Sequence, residues 1–179
     1  MLGLSPATAF QILFVCVLPI CAWVAWSDLK TMKIPNKAVI ALMAVYAVVG
    51  FLVIPFEPWA WRWVNFIVIL AIGFVLNAVA NVGAGDAKFA AAAAPFIKAS
   101  HAGFVLPLFA AFLLGAFAAH RLLRAIPAIR RMTPDWVSWT RKDFPMGLAL
   151  VGTFLTYLAL AAFPSVYAAF QGALASIRI

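Results

Sequence analysis

Acidic side chains are scarce in this chain, five among 179 residues. Two of them, Asp28 and Asp86, stand at the ends of long apolar runs that should meet at one membrane surface. A carboxylate beside a bilayer core is costly to keep, which points to a job for it. Two carboxylates a few ångströms apart cannot both ionise cheaply, so they share one proton. The ionised partner can then draw a proton from water as that water attacks a peptide carbonyl. The protonated partner donates to the carbonyl oxygen, and later steps protonate the leaving amine. Such chemistry needs no metal, no cofactor and no covalent intermediate. Each acid also has a plainer reading. Asp86 follows Gly83 and Gly85, whose backbone freedom permits a tight turn, and it can cap the next helix. Asp28 can simply be the polar end of a helix in a lysine-rich loop. The pairing rests on their common level beside otherwise acid-poor helices.

The elements that must position these acids are membrane helices. The chain is 67% hydrophobic and 10% charged, with a mean hydropathy of +1.08. A soluble domain of this size must still face water and does not carry so much apolar surface. The apolar runs are long rather than alternating, which predicts helices and not a barrel. Six runs stand out: about Thr8 to Trp26, Ala38 to Pro55, Trp63 to Val82, Ala87 to Ala99, Gly103 to Ala119 and Pro145 to Phe163. The fourth is short, alanine-rich and interrupted by Pro95, and its small residues predict close packing inside the bundle. The first run lacks a basic leader and should remain as an anchor. The expected fold is all-α, a polytopic membrane bundle of about six transmembrane helices forming one domain over residues 1–179.

Loop charges give the orientation. Ten Lys and Arg residues (Lys30, Lys33, Lys37, Lys88, Arg121, Arg124, Arg130, Arg131, Arg141, Lys142) fall on one side, and Arg62, Lys98 and Arg178 on the other. The positive-inside bias then puts both termini outside and Asp28, Asp86, Asp135 and Asp143 on the cytoplasmic face. The net charge of +8 reads as this bias, since no stretch alternates aromatic and basic residues as a nucleic-acid groove does. Cys16 and Cys21 have neither redox nor zinc spacing. His101 and His120 fall near helix ends, away from any metal-binding constellation, and read as interfacial residues. Asn77 and Asn81 share a helical face and read as interhelical hydrogen-bonding residues. The stretch from Arg121 to Arg131, with interleaved Leu and Ile, suits anionic lipid.

Three segments together carry a family resemblance. Asp28-x5-Ile34-Pro35-Asn36 and Gly83-x-Gly85-Asp86-x-Lys88 resemble the paired motifs of prepilin peptidases, membrane aspartic proteases with a GxGD signature. Lys142-Asp-Phe-Pro145-Met-Gly147-Leu-Ala-Leu is similar to the segment that opens their last helix. The resemblance implies a bacterial inner-membrane enzyme that cuts the short basic leader from type IV prepilins or prepilin-like proteins at the cytoplasmic face. It carries Asp28 and Asp86 over as the catalytic dyad, with Gly83, Gly85, Pro35, Asn36, Lys88, Pro145 and Gly147 in substrate-binding or supporting positions. Long members have two CxxC pairs coupled to N-methylation. This chain has none and resembles the short form associated with tight-adherence (Flp) pili, which puts methyltransferase activity in doubt. Presenilin-like GxGD enzymes usually carry Tyr where this chain has Ser27.

Lys88 has two readings, tuning the dyad or anchoring the cytoplasmic face, and Pro35 and Asn36 shape the turn into the second helix. Two other functions compete with the peptidase: a small proton- or ion-coupled transporter, and a non-catalytic pilus-assembly subunit whose acids only cap helices. The oligomeric state is open.

Overall fold

A computed structural model describes residues 2–177, with side chains through residue 173. Helix α1 (Pro6–Thr31) starts where the Ser5 hydroxyl accepts the Thr8 N–H at 3.2 Å and Pro6 presets the first turn. It ends at Met32, left-handed at φ 56°, whose N–H returns to the main-chain oxygen of Asp28 at 2.8 Å. Its buried residues form one stripe: Phe10, Leu13, Val17, Cys21, Val24 and then Asp28. Steps of three and four keep this stripe on a single face. Asp28 therefore takes the next core position after Val24, inside the helix rather than beyond it. The helix runs past Trp26, and side-chain bonds brace its last turn and the chain just beyond it. Thr31 Oγ1 donates to Ser27 O at 2.8 Å, and Ser27 Oγ donates to Lys33 O at 2.9 Å.

Helix α2 (Asn36–Val53) contains one wider π turn at Tyr46–Gly50. There the Trp59 indole N–H donates to Tyr46 O at 3.1 Å, and the Tyr46 hydroxyl donates to Trp59 O at 3.0 Å. Helix α3 (Phe56–Ala80) follows directly. Beyond Trp63 its single buried residue is Gly73, and Ile67, Phe74 and Val79 are exposed. A helix that is apolar all round, with its outer surface unpaired, belongs in hydrocarbon.

Helix α4 (Ala84–Ala93) continues into a 3₁₀ turn, Ala94–Phe96, that contains Pro95. The two together rise about 20 Å, short of a bilayer core of ~30 Å. Ala91 to Phe96 are all buried, so the alanine run does pack inside the bundle. Helix α5 (Ala102–Ala125) leads through α6 (Pro127–Met132) to a loop closed by a 3₁₀ turn at Val137–Trp139. Helix α7 (Gly147–Ala162) then bends by 112° into α8 (Pro164–Ile177). By length and composition α1, α2, α3 and α5 can each cross a membrane, and the bent α7–α8 pair brings the number among the described residues to at most five. The remaining apolar segment of the sequence is the short α4.

Helix α7 is the hub, packed on α1 and α5, while α2 joins α1 to α4 and α4 lies along α3. Gly73 makes the last contact possible, because a Cβ there would fall 2.8 Å from Ala87 Cβ.

Candidate active site

Asp28 is 5% exposed and lies one turn before the end of α1. Its Oδ2 accepts the Gly147 N–H at 2.7 Å, across 119 residues of sequence. Gly147 opens α7, so this amide is one of the unpaired donors of a helix start, where negative charge is favoured. The approach requires glycine: a Cβ at position 147 would sit 2.8 Å from Asp28 Oδ2 and 3.1 Å from its Cγ.

Asp86 stands in the first turn of α4, which begins at Ala84 and not at Ala87. Gly83 fills the cap position and makes no side-chain cap bond. A Cβ on Gly83 would collide with Asp86 Oδ2, so here too a glycine leaves room for a carboxylate. Burial first, and then the negative charge of Asp28, push the Asp86 carboxyl up to about 7, while a bond from its own main-chain N–H pulls the other way. The repulsion means that the two acids are electrostatic neighbours, although 57 residues and two helices separate them in sequence.

The other motif residues assemble around the pair. Gly85 lets α4 close on the turn that leads into α2, since a Cβ there would fall 3.3 Å from Ile34 Cβ. Pro35 occupies the cap position of α2. Asn36, the first residue of that helix, accepts Lys88 Nζ at 3.4 Å. Lys88 is exposed and reaches the start of α2 rather than a carboxylate; among the described residues it forms no ion pair. Pro145 is fully buried just before Gly147.

A ladder of rings holds the α5–α7 loop over this end of the bundle. Trp26 packs edge-on to Trp136, which stacks on Trp139 at 5.4 Å; Trp139 stacks on His120 at 5.2 Å, and His120 meets Phe144 at 5.9 Å. His120 is thus buried in an aromatic stack instead of lying at an interface. Lys30 and Asp135 close the same loop with an ion pair of 2.8 Å. The ladder is what holds Phe144, and with it Gly147, in register with α1. Nothing in the spacing of single tryptophans along the chain announces it.

Beside Asp86 opens a cavity of about 330 Å³ between α3, α4, α5 and α7. Its walls include Ile72, Leu76, Ala90, Phe109 and Leu150, and its polar lining residues are Asp86 and Thr153. Asp28 is not among them. Among the described residues no group of three or more His, Cys, Asp or Glu side chains could hold a metal ion.

Residues 12–120, more than half of the chain, match the type IV leader peptidase family. The matched stretch includes Asp28, Asp86 and every motif residue between them, and it stops before Pro145 and Gly147. No curated protein and no solved structure matched. Several of its helices are apolar and long enough to cross a membrane, and the chain belongs to the type IV leader peptidase family.

Proposed function

We propose that this membrane peptidase is an aspartic endopeptidase that removes the short basic leader of type IV prepilins, of the Flp type, at the cytoplasmic face. Asp28 and Asp86 act as the dyad. The observation that carries the reading is the convergence of two carboxylates from distant helices, with a buried main-chain N–H on one of them.

Their surroundings support a division of labour. Asp28, with the Gly147 amide on Oδ2, is the carboxylate better placed to stay charged, and it takes the proton from water. Asp86, raised to about 7, holds the shared proton and gives it to the scissile carbonyl oxygen. Water oxygen bonds to the carbonyl carbon, and the tetrahedral diol then collapses. The C–N bond breaks, the leaving nitrogen takes the proton that Asp28 received, and a diol hydroxyl returns a proton to Asp86 as the new carbonyl forms. Both carboxyls finish in their starting states.

The substrate of such an enzyme changes from polar leader to hydrophobic helix at the cleavage point. The cavity beside Asp86 offers the matching change, from a carboxylate to an apolar wall within one enclosure. Two competing readings have less support. A proton-coupled transporter wants carboxylates near the bilayer midplane, whereas these lie within one turn of helix ends. A non-catalytic subunit with capping acids does not account for Asp28, which lies on the buried face of α1.

The test is co-expression with Flp-type prepilins and mass-spectrometric mapping of the new N-terminus. The expected product begins immediately after the leader glycine, and it disappears in Asp28→Asn and in Asp86→Asn. Normal processing by either variant, inserted at the wild-type level, would overturn the dyad.

A further inference from the structure

Phe10 and Asp28 are five turns apart on α1, so a second cluster of polar groups lies about 27 Å from the aspartates. There a cavity of about 480 Å³ is lined by Arg62, Lys98 and Ser100 together with the apolar Leu4, Phe10 and Ile54. The sequence assigns three of the 13 basic residues to this face, and two of them share this one cavity. Among the described residues no carboxylate lines it, Glu57 included. Among the described residues the ion pairs are Lys30–Asp135 and Arg141–Asp143, neither of them here.

Arg62 is only partly exposed. Its Nη1 is buried and has no hydrogen-bond partner among the described residues, while its guanidinium lies 5.9 Å from the centre of the Phe10 ring. A desolvated, charged N–H without an acceptor is costly, and a bound anion would relieve it. The Lys98 segment is held firmly. The Lys98 N–H donates to the Tyr157 hydroxyl at 3.1 Å, His101 Nδ1 meets the same oxygen at 3.0 Å, and Asn65 Nδ2 donates to Ile97 O at 2.8 Å.

We infer that the Arg62–Lys98 cavity is a binding site for a phosphate-bearing anion. The guanidinium supplies a planar fork of donors, Lys98 a point charge, and the Ser100 hydroxyl a neutral donor. The apolar wall of Leu4, Phe10 and Ile54 suits the glycerol and first methylenes of a phospholipid, and the polar half alone would serve free phosphate. Ordinary snorkelling of two basic side chains towards the membrane surface predicts no such discrete site.

Thermal unfolding of the full-length protein in neutral detergent tests the inference, with phosphatidylglycerol, phosphatidylcholine, glycerol 3-phosphate or inorganic phosphate added. Wild type should be stabilised by phosphatidylglycerol over phosphatidylcholine. Arg62→Gln should weaken that response about tenfold in concentration, as expected for loss of a charge-assisted pair. Lys98→Gln, at an exposed position that does not threaten folding, should weaken it less. An Arg62- and Lys98-dependent response to phosphatidylglycerol alone identifies a lipid headgroup as the source. The same dependence with inorganic phosphate or glycerol 3-phosphate identifies a free phosphate. No response in wild type, or an equal response in wild type and both variants, overturns the inference.

Discussion

Asp28 is buried on the core face of α1 and bonded to a main-chain amide from α7, with Gly147 so close that a methyl group would not fit beside it. Asp86 sits at the start of a short helix against an apolar cavity, and its neighbouring Gly83 is exposed. One carboxylate is buried with a fixed donor on it, and the other, partly exposed, borders an apolar cavity and the first one's charge. The same acid type is thereby made suitable for two tasks, because a fixed donor favours the charged form and desolvation favours the neutral one.

The largest test of this contrast is removal of each carboxylate. Asp28→Asn and Asp86→Asn should each lower kcat/KM for prepilin cleavage by roughly 10²–10⁴-fold, the usual worth of a general base or acid. A residual rate near wild type in one of them would leave a single carboxylate in place of a pair. Next come the two glycines. Gly147→Ala drives a methyl group into the buried Asp28 carboxylate and should cost about 10- to 100-fold in activity, as misplacement by a fraction of an ångström does. Gly83→Ala meets only the end of the partly exposed Asp86 side chain, which can turn away, so its loss should be smaller. Equal losses, measured as kcat/KM on one prepilin, would show that both cradles are equally rigid.

A smaller effect separates the acids by pH. The Asp86 carboxyl, raised to about 7 from 3.8, binds its proton more tightly in the folded than in the unfolded chain. Its contribution to stability is therefore complete below about 3.8 and is lost as pH rises through about 7. The melting temperature should fall between pH 5 and pH 8, and that fall should shrink in Asp86→Asn. On the alkaline side kcat/KM should decline with an apparent ionisation near 7 that belongs to the pair. The smallest effect is expected of Lys88→Gln, which breaks the exposed 3.4 Å contact with Asn36 and should change kcat/KM by less than about threefold. A loss beyond tenfold, seen in the same assay, would bring Lys88 into the site after all.

Much of the site is readable along the chain because its parts are local signals. The paired glycines before Asp86 and the Pro35–Asn36 turn are short-range backbone features. The stripe Leu13, Val17, Cys21, Val24, Asp28 was equally present in the sequence, as a 3.6-residue period running through an acid. A charged residue after an apolar run normally marks a helix boundary, so apolarity alone ends the helix at Trp26, before Asp28. Gly147 belonged to a recognised segment, but its bond to Asp28 joins residues 119 apart, and no local pattern encodes such a pairing.

By itself the sequence determined that this is a helical membrane protein, which residues are its rare acids, and the order of its motifs. Composition and short-range spacing are properties of the chain before it folds. Only the tertiary structure decided that His120 is stacked inside a ladder of rings and that the two aspartates have unlike surroundings. Those facts depend on how helices distant in sequence pack, and packing is governed by the fit of whole surfaces rather than by any single run of residues.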